Sequence, residues 1–259
     1  MVAAPRRPPS NARRQAAKFA GLTAAGLLAA AACRAETAEA LHHALAQCAA
    51  PPAEGCLAAL EARALKEAAG QAERAGPWLS LQTTGGPVRF DDRRAVVATN
   101  ATTPAAGGAG PRNYYLGAVE GSDARLVLAL APGAPLSAAR YWLVGAAGPP
   151  VLGLDALPWP APAGRLLVAA KPASQAGVST LALYLRVGAR WTQQYRYEAP
   201  VGVSYSFRSW RADGAAVRLE WAISGPTKAC ADSGEHGSIQ LRDGPYGWDL
   251  VPPLPPTCR

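Results

Sequence analysis

Four sets of residues in this 259-residue chain are of types that could do chemistry: adjacent histidines at His42 and His43, a polar run around His236, scattered carboxylates, and a file of aromatic rings from Trp191 to Trp210. A zinc-type site needs several ligands converging on one ion. Neighbouring helix residues point about 100° apart, so His42 and His43 do not converge. Both are expected on a solvated helix surface. Hydrolysis by an activated serine needs a nucleophile, a base and an orienting acid. "ADSGEHGS" supplies Asp232, Ser233, Glu235 and His236, but as near neighbours in one loop, and no Gly-x-Ser-x-Gly elbow occurs. Asp91-Asp92 precede Arg93-Arg94 and read as an exposed charged turn. Asp155, Glu198 and Glu220 fall in strand-like stretches, and nothing in their spacing sets two face to face as glycoside hydrolysis requires. Phosphate loops, dinucleotide fingerprints and zinc-finger spacings are missing from the sequence. No catalytic residue, metal or cofactor is therefore assigned. Candidate binding residues are Tyr195, Tyr197, Tyr205, Trp210 and His236. Tyr195 and Tyr197 share a strand face, as do Tyr205 and Phe207. Such rings either pack between strands or form an exposed platform for a glycan or a protein partner.

Two kinds of element must hold these residues. Residues 36–75 read as helix. In "ETAEALHHALAQC", Leu41, Leu45 and Cys48 fall on one face, spaced by four and three. Pro51 and Pro52 break that helix and suit the start of a second. Cys56, Leu57, Leu60 and Ala64 then share a broad face, and Gly76-Pro77 ends the segment. After Pro77 the pattern turns to β, and all seven Trp and eight Tyr lie there. Short apolar runs such as "WLSLQT", "YYLGAVE", "ARLVLAL", "RYWLVG", "RLLVAA", "STLALYLRV" and "AVRLEWAI" follow at close intervals. Turn signals at 120–123, 148–150, Asp213-Gly214 and Asp243-Gly244 separate them. This density of strands predicts a mainly β fold, a sandwich, barrel or propeller, preceded by a small disulfide-linked α-hairpin. The expected divisions are 1–35, 36–76 and 77–259.

The first 35 residues look like an address. Arg6, Arg7, Arg13, Arg14 and Lys18 precede an apolar run from Phe19 to Ala32, and no acidic residue comes before Glu36. That order is the one a secretory signal uses, and the run is shorter than the roughly 20 residues a bilayer-spanning helix needs. Cleavage fits before Cys33, which would then carry a lipid, or after Ala35. Five cysteines are present, Cys33, Cys48, Cys56, Cys230 and Cys258. Setting Cys33 aside leaves four and three connectivities, of which Cys48–Cys56 with Cys230–Cys258 joins sequence neighbours. On the chain-entropy argument the two loops are worth about 2.6 and 3.6 kcal/mol. Removing residues 1–35 takes away six basic groups and no acidic ones, so +8 falls to 20 basic against 18 acidic, +2. A nucleic-acid partner is excluded on that count. Membrane contact is expected solely through a lipid on Cys33.

Four resemblances follow from these residues. Ala12-Arg13-Arg14-Gln15-Ala16-Ala17-Lys18 resembles a bacterial twin-arginine export motif, with Ala16-Ala17 where that family has Phe-Leu; a general secretory signal fits as well. Residues 139–222, with the turn Ala161-Pro162-Ala163-Gly164, resemble a blade of the TolB/WD40-like β-propeller type; at about 40–45 residues per blade, residues 78–259 would hold about four, which implies a partial propeller, and a twisted multi-strand β-domain fits as well. The layout is similar to that of uncharacterised proteobacterial envelope proteins, and residues 36–75 resemble the cysteine-bridged helices of periplasmic lysozyme inhibitors of the LprI type. Together these imply an exported periplasmic or envelope protein, a non-enzymatic binding or structural module with an envelope protein or glycan partner. The alternatives are a lysozyme inhibitor and a hydrolase with its site near His236.

Overall fold

The computed structural model describes residues 37–50, 52–93, 110–162, 164–172, 179–199, 202–213, 216–224, 236–244 and 247–251. Two helices come first, α1 (Ala38–Gln47) and α2 (Ala53–Glu67). Fifteen strands follow: β1 (Ala72–Ala75), β2 (Trp78–Leu81), β3 (Val88–Asp91), β4 (Arg112–Ala118), β5 (Arg125–Leu130), β6 (Arg140–Gly145), β7 (Gly148–Leu154), β8 (Pro158–Pro160), β9 (Leu166–Lys171), β10 (Thr180–Val187), β11 (Arg190–Glu198), β12 (Ser204–Asp213), β13 (Ala216–Ser224), β14 (His236–Gly244) and β15 (Gly247–Val251). They form four antiparallel sheets, β1–β3, β4–β7, β8–β11 and β12–β15, each with its strands side by side in chain order. The fold is mainly β, and the sheets do not close into a barrel.

The sheets stack in sequence, which explains their apolar runs. Leu126, Leu128 and Leu130 of β5 join Leu167, Ala169 and Tyr184 between the second and third sheets. Val127, one residue out of phase, packs with Leu79, Val88 and Phe90 between the first and second. Leu166, Val168, Leu181 and Leu183 face Tyr205, Leu219 and Trp221 between the third and fourth. A sheet covered on both faces needs apolar side chains at every position, so β5, β9 and β10 read as unbroken hydrophobic stretches. The fourth sheet shows the one-sided pattern instead. Its β13 buries Val217, Leu219 and Trp221 and exposes Arg218 between them.

The helices belong to these cores. Leu45, Cys48, Ala53 and Leu57 sit in the cluster between the second and third sheets, and Ala64 and Ala68 in the one between the first and second. Thr37 caps α1 with its Oγ1 accepting from the Ala40 N–H at 3.3 Å, and Glu120 of the β4–β5 turn accepts from the Ala38 N–H at 3.0 Å. Cys48 at the end of α1 bonds Cys56 in the first turn of α2, with 5.4 Å between their Cα atoms. The helical reading of 36–75 runs too far. Ala69 and Gly70, at φ 48° and 83°, end α2, and residues 72–75 become β1, paired with β2. Gly76-Pro77 is thus a hairpin turn between β1 and β2 rather than the end of the helical segment.

A buried ionic cluster fastens this junction. The Glu61 carboxylate is 3 % exposed on the inner face of α2. Its Oε1 accepts from Arg74 Nη2 at 2.6 Å and Nε at 3.1 Å, and from the Tyr115 N–H at 3.2 Å. Arg74 also reaches Asp92 Oδ2 at 2.7 Å and donates to the Asn113 carbonyl. Asp92 Oδ1 in turn accepts from the Asn113 N–H at 2.8 Å. One network therefore ties α2, β1, the end of β3 and β4. The exposed charged turn expected at 91–92 is corrected: Asp91 is buried and Asp92 is an anchor.

The turn at 161–164 has a steric role. Gly164 adopts φ +62° and lies against Gly121 of the β4–β5 turn, so a Cβ there would overlap the Gly121 carbonyl. Gly55, on α2, has open space around it. Gly164→Ala should cost about 2 kcal/mol or more in urea unfolding, through strain and overpacking. Gly55→Ala should be neutral or stabilise by up to about 1 kcal/mol. Equal effects would show that the two turns do not touch.

Candidate functional site

Helix α1 lies against β8, and a file of rings meets near that crossing, of which only Trp210 is among the candidate binding residues. The His42 imidazole stacks on the Trp159 indole of β8, 3.6 Å between centroids and 10° between planes. Trp159 stacks in turn on Phe207 of β12 at 4.6 Å. Trp210 lies 6.1 Å from Phe207, tilted, and its Nε1 donates to the Trp159 carbonyl at 3.3 Å. A helix, the third sheet and the fourth sheet thus share one file of half-buried rings.

Two β-bulges set which rings take part. The register between β12 and β13 shifts between Phe207 and Ser209, which places Trp210 on the face of Tyr205 and Phe207. The register between β10 and β11 shifts at Gln194, between the pairs Leu183↔Tyr195 and Tyr184↔Gln193. That shift sends Trp191 to the cluster between the second and third sheets, and Tyr195 and Tyr197 to the one between the third and fourth. Tyr195 and Tyr197 stack at 6.4 Å, and Tyr197 meets Tyr205 at 5.6 Å. Tyr205 is buried and serves packing, while Tyr195, Tyr197 and Trp210 keep part of their surface in solvent.

Beside α1 a groove of about 320 Å³ opens between the second and third sheets, lined by His42, Leu45, Leu136, Tyr141, Leu157 and Lys171 among others. It shares Ser137, Tyr141, Asp155 and Lys171 with a second hollow of about 400 Å³ that runs on to Arg140. On the other side of His42, a hollow of about 490 Å³ is bounded by Thr37, His43 and Trp159. Asp155 is held by Arg196, Oδ2 to Nε 2.9 Å, and its N–H donates to the Tyr184 hydroxyl at 3.1 Å. Glu198 reaches the same guanidinium at 2.8 Å. Two of the three scattered carboxylates therefore share one arginine, while Glu220 lies in the fourth sheet with Ser209 and Arg211. Burial pushes the Tyr141 hydroxyl up to about 12, so it remains a neutral donor near pH 7.

The surface expected for both histidines holds for His43, whereas His42 is half-buried against Trp159. Burial lowers its pKa from 6.5 to about 4, partly opposed by the hydrogen bond between Nε2 and the Pro158 carbonyl at 3.3 Å. The ring is neutral at pH 7, with Nε2 as donor. Sequence reading missed this pair because β8, "PWP", does not look like a strand; its prolines are tolerated at a sheet edge, which is where β8 lies. His236 opens β14, but its side chain and residues 225–235 lie outside the described residues. Arg13, Arg14, Cys33, Cys230 and Cys258 lie outside them as well. Among the described residues, no three His, Cys, Asp or Glu side chains are grouped to hold a metal ion, and no helix is long and apolar enough to cross a membrane. No protein-family model matches the chain, and neither does any curated protein or solved structure.

The His42 shift makes a pH prediction. Between pH 6.5 and 4 the unfolded chain takes up a proton that the folded ring refuses. Stability present above pH 6.5 is therefore lost as pH falls toward 4. At pH 5 the loss should be about 1–2 kcal/mol relative to pH 7. In His42→Phe, which keeps the stack, the urea-unfolding free energies at pH 7 and pH 5 should lie closer together by that amount. An unchanged pH dependence would place the titration elsewhere.

Proposed function

We propose that this chain is an exported envelope protein that acts as a non-enzymatic binding module, with the groove beside α1 as its contact surface. The observation that carries the reading is the Cys48–Cys56 bridge. A buried disulfide between two helices suits an oxidising compartment, and the leader-like residues 1–35 supply a route to one. The bridge and the capping of α1 by Glu120 also hold the helix that forms one wall of the groove. The groove walls combine apolar side chains with a few polar ones from rigid elements, the make-up expected of a recognition site. The succession of four meandering sheets supports a partial propeller, a scaffold on which such sites are commonly carried.

Fractionation of cells expressing the full chain tests both parts. The protein should appear in the periplasmic or envelope fraction, shortened at its N-terminus by intact mass, with Cys48 and Cys56 oxidised. Replacing Arg13-Arg14 by Lys-Lys should retain it in the cytoplasm if the twin-arginine route is used, and leave export intact if the general route is. Ala46→Trp, which fills the groove from an exposed position on α1, should cut co-sedimentation with washed envelopes severalfold at unchanged thermal stability. A full-length, reduced chain in the cytoplasm would overturn the compartment. Undiminished co-sedimentation would overturn the contact surface. Robust inhibition of lysozyme by the purified chain would instead favour the inhibitor reading.

A further inference from the structure

The groove beside α1 has a charge character of its own. Its acid, Asp155, is already engaged by Arg196. Its two cations are differently placed. Lys171 lines both hollows and Arg140 lines the second, and neither is paired with an acid among the described residues. The connected groove is thus cationic, and its lining also includes the neutral donors Ser137 and Tyr141 and the apolar side chains Leu45, Leu136 and Leu157. The His42 ring, backed by Trp159, closes one end.

We infer that this groove binds a carboxylate-bearing oligosaccharide, an assignment that rests on the reading of the groove as the contact surface. The C–H faces of sugar rings suit the leucine lining and the His42 and Tyr141 rings, ring hydroxyls suit Ser137 and the Tyr141 hydroxyl, and carboxylates suit Lys171 and Arg140 through charge-assisted hydrogen bonds. An acidic peptide fits less well. Extended peptides gain affinity by adding a strand to an open sheet edge. Two sheet edges border this site: β8, where Pro158 and Pro160 have no N–H to offer, and β7, of which only its last two residues, Gly153 and Leu154, line the groove.

The test titrates protein purified from cells expressing the full chain with tetragalacturonate, with its fully methyl-esterified form, and with poly-glutamate, by calorimetry at low salt. Tetragalacturonate should bind saturably. The methyl ester, which keeps the rings and loses the charges, should bind at least about tenfold more weakly, as should Lys171→Gln and Arg140→Gln with the acid form. Both substitutions sit at solvent-accessible positions, and a thermal melt checks that they fold. Poly-glutamate binding as tight as tetragalacturonate would overturn the glycan assignment. Equal affinity for acid and ester, or binding indifferent to both substitutions, would overturn the carboxylate assignment. Absence of tetragalacturonate binding while envelope association still responds to Ala46→Trp would sink this ligand class and leave the groove as contact surface. Loss of that response too would remove both.

Discussion

A carboxylate taken out of water sets the terms for this fold. Glu61 sits on the apolar face of α2, four residues after Leu57 and three before Ala64. An isolated ion there would cost several kcal/mol, so it persists only where partners meet it in one geometry. Arg74 from β1 and the Tyr115 N–H from β4 are the close partners, Arg112 of β4 lies 3.6 Å from the second carboxylate oxygen, and Asp92 with Asn113 holds Arg74 in turn. Apolar packing between α2 and the sheets is non-directional and would tolerate sliding. The ion cluster does not, because a slip by one turn would strand Glu61 and Arg74 together. The cluster thus gives position more than net stability.

Position is what the groove needs. Helices of 10 and 15 residues are marginal in water on their own and gain their stability from packing. Glu61 fixes α2 to the first and second sheets, and the Cys48–Cys56 bridge passes that placement to α1. Glu54 of α2 accepts from the Gly133 N–H at 2.9 Å, which ties the helix to the turn leading to Leu136 and Ser137. Both walls of the groove are therefore referred to one anchor. Asp123–Arg186 and, at the groove, Asp155–Arg196, at 2.6 and 2.9 Å, link the second and third sheets. Each is partly exposed and individually weak.

The sequence showed the mainly β fold, the helical pair and the Cys48–Cys56 bridge because each rests on local signals: strand-length apolar runs, helical spacing and cysteines either side of a turn. The strands it missed lacked such signals. β1, "AERA", is helix-like in composition and becomes a strand by pairing with β2; β3 is short; β8 is mostly proline. The site was harder. Strict alternation would put Trp210 opposite Phe207 and Trp191 beside Tyr195, and a bulge reverses each expectation. His42 looked like one of two solvated residues because its partner, Trp159, is 117 positions away and comes from a strand with no strand signature. Asp92 looked like an ordinary surface charge, and nothing local singles out Glu61, for the same reason: their partners are brought close by the packing of helix and sheets rather than by neighbouring sequence.

The claim that an ion cluster anchors the hairpin is tested most directly by a double-mutant cycle on Glu61→Gln and Arg74→Gln in equilibrium urea unfolding. Glu61→Gln leaves Arg74 with Asp92, and Arg74→Gln leaves the buried Glu61 charge with the Tyr115 N–H and the more distant Arg112, so each single change should cost about 3 kcal/mol. The double variant should be less unstable than the two losses summed, with a coupling of about 2 kcal/mol. Losses that add to within about 0.5 kcal/mol would mean that Glu61 and Arg74 do not hold each other in solution. The hairpin would then be placed by apolar packing alone.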